Sequence, residues 1–94
     1  MGCKMKYSLK ISKKTNKTLS KMDKPTRNLL LKWLYNNVHN SENPRLHGKA
    51  LQGELSGLWR YRIGKYRVIV EIQDDELVVL AIDVGLRGSI YKRR

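Results

Sequence analysis

Apolar and polar residues alternate strictly over positions 5–12, MKYSLKIS, with lysines and serines between the apolar members. Successive side chains of a β-strand point to opposite sides, so this period of two is typical of a strand with one buried face. We therefore predict a first strand over residues 5–12. Its buried side is expected to consist of Met5, Tyr7, Leu9 and Ile11.

Helical spacing replaces the alternation after residue 12. A short helix is predicted over 13–22, with a narrow apolar side formed by Leu19 and Met22. Asp23 is a favoured N-cap residue and Pro25 suits a first helical turn, so a second helix is expected to begin here. Its apolar side is broader and consists of Leu30, Leu31, Trp33, Leu34 and Val38.

The remainder of the chain has the pattern of a β-meander. Segment 41–57 contains three glycines and one proline and is predicted to be a loop, with a helical part as an alternative. Three strand-like runs follow it, over 58–63, 66–73 and 77–84. They are separated by Gly64-Lys65 and by the acidic residues 74–76, which are short enough to form tight turns.

These elements predict an α+β fold in the order β-α-α-β-β-β. A small, mainly antiparallel sheet would carry two helices packed on one face. The chain has 94 residues, of which 40% are hydrophobic, and this is enough for one core. A single domain over 1–94 is expected.

The net charge of +12 predicts a polyanionic partner, either a nucleic acid or an acidic protein. Residues 1–41 hold nine lysines and one arginine against one acidic residue. Residues 42–94 hold three lysines and seven arginines against seven acidic residues. Lysine is a hydrated point charge, whereas the planar fork of arginine suits phosphate oxygens. The first part is therefore interpreted as a general electrostatic surface and the second as a site.

Three of these arginines lie in the predicted strands around Gly64-Lys65. Residues two apart share a face, so Arg60 and Arg62 point to one side, and pairing across the turn brings Arg67 to the same side. Arg87 follows the last strand. Four convergent guanidinium groups would form a phosphate clamp, because each can donate two hydrogen bonds.

The alternative is that these arginines form surface salt bridges with Glu54, Glu71 and Asp83. Such pairs contribute only about 0–1 kcal/mol each when exposed. Few acidic residues lie near the hairpin, and the functional interpretation is therefore preferred.

Other kinds of site have weaker support. His47 is a candidate general base, although a lone histidine in a loop is usually a surface residue. The acidic turn 74–76 has no histidine beside it and is interpreted as a solvated turn rather than a metal site. With Cys3 as the one cysteine and no apolar run long enough for a membrane span, a cytoplasmic protein without metal or cofactor is expected.

The second half of the chain resembles the RelE/ParE toxin superfamily, and most closely its RelE branch. The similar segments are NPRLHGKALQGELSGLWRYRIGKYRVIVEI (43–72) and VVLAIDVGLRGSIY (78–91), about half of the chain. The resemblance implies the toxin of a type II toxin–antitoxin system, a metal-independent mRNA endonuclease that inhibits translation. It also implies three partners: an acidic RelB-like antitoxin, mRNA, and the ribosome with its 16S rRNA and A site.

The same resemblance suggests roles for individual residues. Arg60 and Arg62 occupy the positions of two active-site lysines of RelE, and Arg67 and Arg87 match two functional arginines. Tyr91 matches a C-terminal tyrosine, which would exchange protons or stack on a base. The chain departs from the family in having Leu86 where many relatives have histidine, and in having arginine at both lysine positions.

The lysines outside the arginine cluster are expected to contact RNA or the ribosome: Lys13, Lys14, Lys17, Lys21 and Lys65. Two other functions stay open from the sequence. One is a ParE-like inhibitor of DNA gyrase without nuclease activity. The other is a non-enzymatic basic domain that binds nucleic acid through phosphate contacts.

Overall fold

The computed structural model describes residues 6–86, in two helices and one five-stranded sheet. The elements, in chain order, are β1 (Ser8–Ile11), α1 (Lys13–Ser20), α2 (Lys24–Asn37), β2 (Gly48–Ala50), a 3-10 helix (Gly53–Leu55), β3 (Trp59–Ile63), β4 (Tyr66–Gln73) and β5 (Val78–Leu86). The longest helix has 14 residues, and no helix within 6–86 has the length and apolar character needed to cross a membrane.

The strands are arranged in the order β1-β5-β4-β3-β2. Three neighbouring pairs are antiparallel, and β1 pairs with β5 in parallel. The predicted α+β class, the mainly antiparallel sheet and the meander of β3, β4 and β5 are therefore confirmed. Gly64 has a φ of +62° at the start of the β3–β4 turn, a conformation that glycine adopts without strain.

One strand lies within the segment that the sequence predicts to be a loop with a helical part. β2 and the 3-10 helix both fall within 41–57, so the order of elements has one more strand than predicted. β2 pairs with β3 through a close approach at Gly48, where a Cβ atom would lie 3.0 Å from Cε1 of Tyr61. Gly48, which the sequence pattern places in a loop, thus allows this edge strand to pair closely with β3 because it has no Cβ atom.

Both helices begin where the sequence predicts them. Ser12 caps α1, and its hydroxyl accepts a 3.1 Å hydrogen bond from the N–H of Thr15. Asp23 holds the N-cap position of α2 and Pro25 lies in the first turn. The Asp23 carboxylate accepts a hydrogen bond from the hydroxyl of Thr26 and caps no backbone N–H.

A single core lies between the helices and one face of the sheet. Both helices and strands β1, β3, β4 and β5 contribute buried residues to it. The apolar side of β3 and β4 is the one that the alternation predicts. The buried core residues are Leu9, Leu19, Leu30, Leu34, Val38, Tyr61, Ile63, Val68, Val70, Val79, Ala81 and Val84.

Candidate nucleic-acid interface

The sheet face opposite the helices carries a concentration of positive charge. The alternation along β3 and β4 directs Arg60, Arg62 and Arg67 to this side, as predicted from the sequence. The strand register also places residues of the two edge strands, β1 and β2, on this side of the sheet. We call this surface the arginine face. Within residues 6–86 its charged strand residues are Lys10, Lys49, Arg60, Arg62, Arg67, Glu71 and Asp83.

On the arginine face, two cross-strand pairs each consist of two positively charged residues. Arg62 is the cross-strand partner of Arg67, and Lys49 is the cross-strand partner of Arg60. Opposite charges at such positions contribute about 0.2–1 kcal/mol each to a sheet, and like charges there are destabilising. An anion bound against the pairs would compensate the repulsion.

The charges of Arg60 and Arg62 are not neutralised by carboxylates of the described chain. Neither residue forms a salt bridge within residues 6–86. Asp83 instead contacts Lys14, with 3.5 Å between Oδ2 and Nζ, and Glu71 accepts a hydrogen bond from an amide side chain of its own strand. The alternative of surface salt bridges therefore does not describe Arg60 or Arg62.

Arg60 also has an unused hydrogen-bond donor. Its Nε atom is buried, and it has no acceptor among the described residues. A buried donor without an acceptor costs about 1–3 kcal/mol. Arg62 is exposed, whereas Arg67 is half-buried. The hairpin therefore holds one exposed and two half-buried arginines on this face.

A bulge in β5 shapes the face beside the hairpin. The register of β4 against β5 shifts between Ile69 and Val70, so that β5 holds one additional residue, Ile82. Bulges of this kind change which side chains point to a given face. Beyond the bulge, Gly85 is the partner of Arg67 and places no side chain beside that guanidinium.

Two of the predicted site residues, Arg87 and Tyr91, lie outside the described residues. β5 ends at Leu86, the last residue that the structure describes. The roles of Arg87 and Tyr91 stay predictions from the sequence and the resemblance.

The lysines that the sequence assigns to RNA or ribosome binding lie on other elements. Lys13, Lys14 and Lys17 are exposed on α1, and Lys21 is its exposed C-cap residue. Lys65 is exposed in the β3–β4 turn, at the same end of the hairpin as the cross-strand pair of arginines. Helix α1 is thus a second basic surface, whose Lys14 reaches β5 through its contact with the Asp83 carboxylate.

The sequence did not reveal Lys49 or Lys10 as members of the arginine face. Both are exposed, and both lie on edge strands whose pairing the chain order does not show. For Lys49 the signal was weak, because β2 has only three residues and these fall inside a glycine-containing loop. For Lys10, the alternation of β1 showed which residues of that strand share its face. It did not show which face of the complete sheet this would be.

One further arginine of the second half has a different environment. Nη2 of Arg45 lies 3.1 and 2.8 Å from the two carboxylate oxygens of Asp74, and the Tyr7 hydroxyl donates a 2.6 Å hydrogen bond to the same carboxylate. The guanidinium carbon also lies 5.5 Å from the ring centroid of Trp59. We call these four residues the Arg45 cluster. It joins the loop before β2 to the acidic β4–β5 turn.

The contacts of the Arg45 cluster change the titration of its members. The Arg45 guanidinium and then the Tyr7 hydroxyl hold the pKa of Asp74 below its ordinary value of 3.8. The hydrogen bond to Asp74 raises the pKa of Tyr7 above its ordinary value. The predicted solvated turn is therefore tied to the loop through Asp74. Within residues 6–86 no three acidic, histidine or cysteine side chains form a cluster suited to a metal ion.

His47, the candidate general base, lies against the helices. Its ring centroid is 5.8 Å from that of Trp33, edge to face, and Trp33 is in turn 5.5 Å from Tyr61. The Tyr61 hydroxyl donates a hydrogen bond to the carbonyl oxygen of Pro44, and burial raises the pKa of Tyr61 to about 12. These contacts place His47 on the helix side of the sheet, away from the arginine face.

Comparison with known proteins identifies the family of this chain. A model of the family described as "ParE toxin of type II toxin-antitoxin system, parDE" matches residues 9–91. Toxin RelG of Mycobacterium tuberculosis is 38% identical over 53 residues, which are 56% of this chain and 61% of that toxin. The match thus spans about three fifths of the length of this curated relative.

Solved structures of toxins share the fold. The toxin–antitoxin complex RelBE2 of M. tuberculosis matches with a TM-score of 0.78 and 24% identity, over 87% of this chain and 99% of that one. An archaeal RelE–RelB complex from Pyrococcus horikoshii has a TM-score of 0.67 and 27% identity, covering 90% and 99%. The isolated E. coli RelE toxin has a TM-score of 0.68 and 26% identity, covering 90% of each chain.

Proposed function

The chain belongs to the ParE toxin family of type II toxin–antitoxin systems, within the RelE/ParE superfamily, and we propose that it acts as a RelE-like mRNA endonuclease. The observation that supports this most strongly is the arginine face. Arg60 and Arg62 have no carboxylate partner within the described residues, and Arg62 stands opposite Arg67. Such a surface suits a phosphate of a single-stranded RNA.

In the proposed reaction the ribose 2′-oxygen attacks the adjacent 3′-phosphate. The new P–O bond closes a 2′,3′-cyclic phosphate, and the bond to the 5′-oxygen of the next nucleotide breaks. The substrate supplies the nucleophile, so the protein has to supply in-line positioning and charge stabilisation. Arg67 and Arg87 would bind the phosphate oxygens, while Arg60 or Arg62 would neutralise the charge that develops on them.

The two proton transfers need another group, because a guanidinium stays protonated at neutral pH. One proton leaves the 2′-hydroxyl and one joins the departing 5′-oxygen. We assign proton exchange to Tyr91, the one residue of the proposed site that is able to both release and accept a proton. Stacking of its ring on a base is the other role that the resemblance implies.

We further propose that cleavage takes place on the ribosome. A site with a weak general base depends strongly on how its substrate is positioned. A ribosome that holds the mRNA in the in-line geometry would supply this positioning, which alone can lower the reaction barrier by roughly 7–11 kcal/mol. The exposed lysines of α1 form a separate basic surface that suits docking on ribosomal RNA.

A RelB-like antitoxin is the proposed inhibitor. The RelE proteins of P. horikoshii and E. coli have been solved in complex with RelB. The charge of +12 favours an acidic partner whose carboxylates meet the arginine face and whose amphipathic segments cover apolar surface. The partner is expected to copurify with this protein and to restore growth when the two are expressed together.

The experiment that tests this function separates it from gyrase inhibition, the ParE-like alternative that stays open from the sequence. Expression is induced in cells, the 5′ ends of mRNA are mapped, and gyrase-dependent DNA breaks are measured in the same culture. New mRNA 5′ ends without DNA breaks support the nuclease. DNA breaks without new 5′ ends support gyrase inhibition, and growth arrest with neither outcome contradicts both.

Ribosome dependence is tested by the rates of cleavage of naked and ribosome-bound mRNA at one ionic strength. We expect much faster cleavage on translating ribosomes. Replacing Lys13, Lys17 and Lys21 with Gln should weaken ribosome binding and flatten its salt dependence. Lys14 is left unchanged in this variant because it contacts Asp83. Equal rates on the two substrates would exclude ribosome dependence.

A further inference from the structure

The pair formed by Lys49 and Arg60 is a second concentration of like charge on the arginine face. β2 is an edge strand, and its register places Lys49 directly opposite Arg60. Lys49 is exposed, and it forms no salt bridge within residues 6–86. On its other side Arg60 faces the apolar Ile69. No carboxylate of the described chain therefore compensates this pair.

The buried Nε of Arg60 is the second observation. It has no acceptor among the described residues, although a donor in such a position ordinarily has one. Lys49 adds a flexible ammonium beside the more rigid guanidinium. The two side chains together can supply a point charge and directed donors to one tetrahedral anion.

The geometry relates this pair to the proposed cleavage site. Arg60 and Arg62 are two residues apart on β3, which separates their Cα atoms by about 6.7 Å along the strand. This is comparable with the distance between neighbouring phosphates of an extended RNA strand. Arg62 and Arg67 form one cross-strand pair, and Lys49 and Arg60 form the next.

We propose that Lys49 and Arg60 bind the phosphate next to the one that is cleaved, which leaves Arg62 to neutralise the charge at the cleaved phosphate, and that Lys49 is a positioning residue of the RNA. This inference rests on the proposed function, because it takes single-stranded RNA as the ligand. Lys49 extends the RNA track across the sheet to its β2 edge. It acts by fixing the direction in which the strand crosses Arg62 and Arg67.

The test uses a fully 2′-O-methylated RNA oligonucleotide, which binds but lacks the nucleophile for cleavage. Lys49→Gln is compared with Lys32→Gln, an equal change of charge at an exposed position of α2. We expect Lys49→Gln to reduce the slope of log Kd against log salt by about 0.7, the value for one lost phosphate contact on a single strand. Lys32→Gln should leave the slope unchanged.

A thermal melt in the absence of RNA gives an independent readout. Removing one charge of a like-charged pair should raise the melting temperature of Lys49→Gln relative to Lys32→Gln. Weaker RNA binding with an unchanged or higher melting temperature supports the inference. Substitution of a residue with only a structural role would lower both RNA binding and the melting temperature.

Several outcomes would overturn it. Equal salt slopes for the two variants, in a protein that still cleaves mRNA, contradict the role of Lys49 and leave the proposed function standing. An effect of Lys49→Gln confined to binding of the acidic antitoxin assigns the pair to a protein partner instead. If the wild-type protein binds the methylated RNA as expected and cleaves no mRNA, whether free or on translating ribosomes, the proposed function fails while the phosphate site stands. No binding of the methylated RNA by the wild-type protein contradicts the role of Lys49, and the mapping of mRNA 5′ ends then decides the proposed function.

Discussion

Arginine has opposite environments in two regions of this molecule. In the Arg45 cluster, one guanidinium is held by a carboxylate, a phenol hydroxyl on that carboxylate and an aromatic ring. On the arginine face, Arg60 and Arg62 have no carboxylate partner within residues 6–86, and each stands opposite another cation. The two regions lie in the same arginine-containing half of the sequence.

The difference shows that the surroundings decide what an arginine does. Arg45 reaches Asp74 because the loop before β2 and the β4–β5 turn meet at one end of the sheet. Its charge is balanced, and its donors are used for stability. The arginine face leaves charge unbalanced in the folded chain, which is unfavourable for folding and favourable for binding a polyanion.

The largest effect is expected from removing one of the two arginines proposed to bind the cleaved phosphate. Arg67→Ala and Arg87→Ala should each abolish growth arrest and mRNA cleavage, because loss of one preorganised donor costs about 2.7–4 kcal/mol of transition-state stabilisation. Arg27→Ala, the same change on α2, is the control and should remain toxic. Melting curves check that the folds are intact. A soluble and fully toxic Arg87→Ala protein would refute the assignment.

In the Arg45 cluster we expect a smaller effect, which falls on stability rather than on cleavage. Arg45→Ala should lower the melting temperature by a few degrees and leave the cleavage rate per folded molecule near that of the wild type. The reason is that Arg45 stabilises a loop and lies outside the arginine face. A large loss of cleavage at full stability would show that the two regions do not differ as the structure indicates.

The pH dependence of stability sharpens this comparison. Arg45 lowers the pKa of Asp74 in the folded state, so the contribution of the pair is fully present above the ordinary carboxyl pKa of 3.8 and is lost as the pH falls through the lower folded value. The difference in melting temperature between wild type and Arg45→Ala should therefore shrink below about pH 4. A constant difference down to the acid limit would mean that another contact of Arg45 carries the effect.

Local patterns in the sequence predicted much of the fold and part of the site. The alternation over β3 and β4 separated the arginines from the apolar residues, because side chains of a strand have a fixed period of two. Gly64-Lys65 gave the turn between these strands, and together these signals brought Arg60, Arg62 and Arg67 to one side. Arg87 was added from its position after the last strand and Tyr91 from the resemblance, and the roles of both remain predictions.

Other features depend on contacts between distant parts of the chain, and only the tertiary structure decided them. The parallel pairing of β1 with β5 connects residues about seventy positions apart, such as Leu9 and Val79. β2 has no pattern of its own and forms because Gly48 can approach Tyr61. Likewise, Arg45 and Asp74 are 29 residues apart and meet only in the folded chain.

The sequence by itself determined which residues of each strand share a face, since this follows from backbone geometry within a few residues. It also determined that the protein carries an excess of positive charge, from which an anionic partner is predicted. The tertiary structure decided which of these charges are balanced and which are left for a ligand. The reason is that these pairs form between different elements of the chain. Only the completed sheet brings Lys49 beside Arg60 and Asp74 beside Arg45.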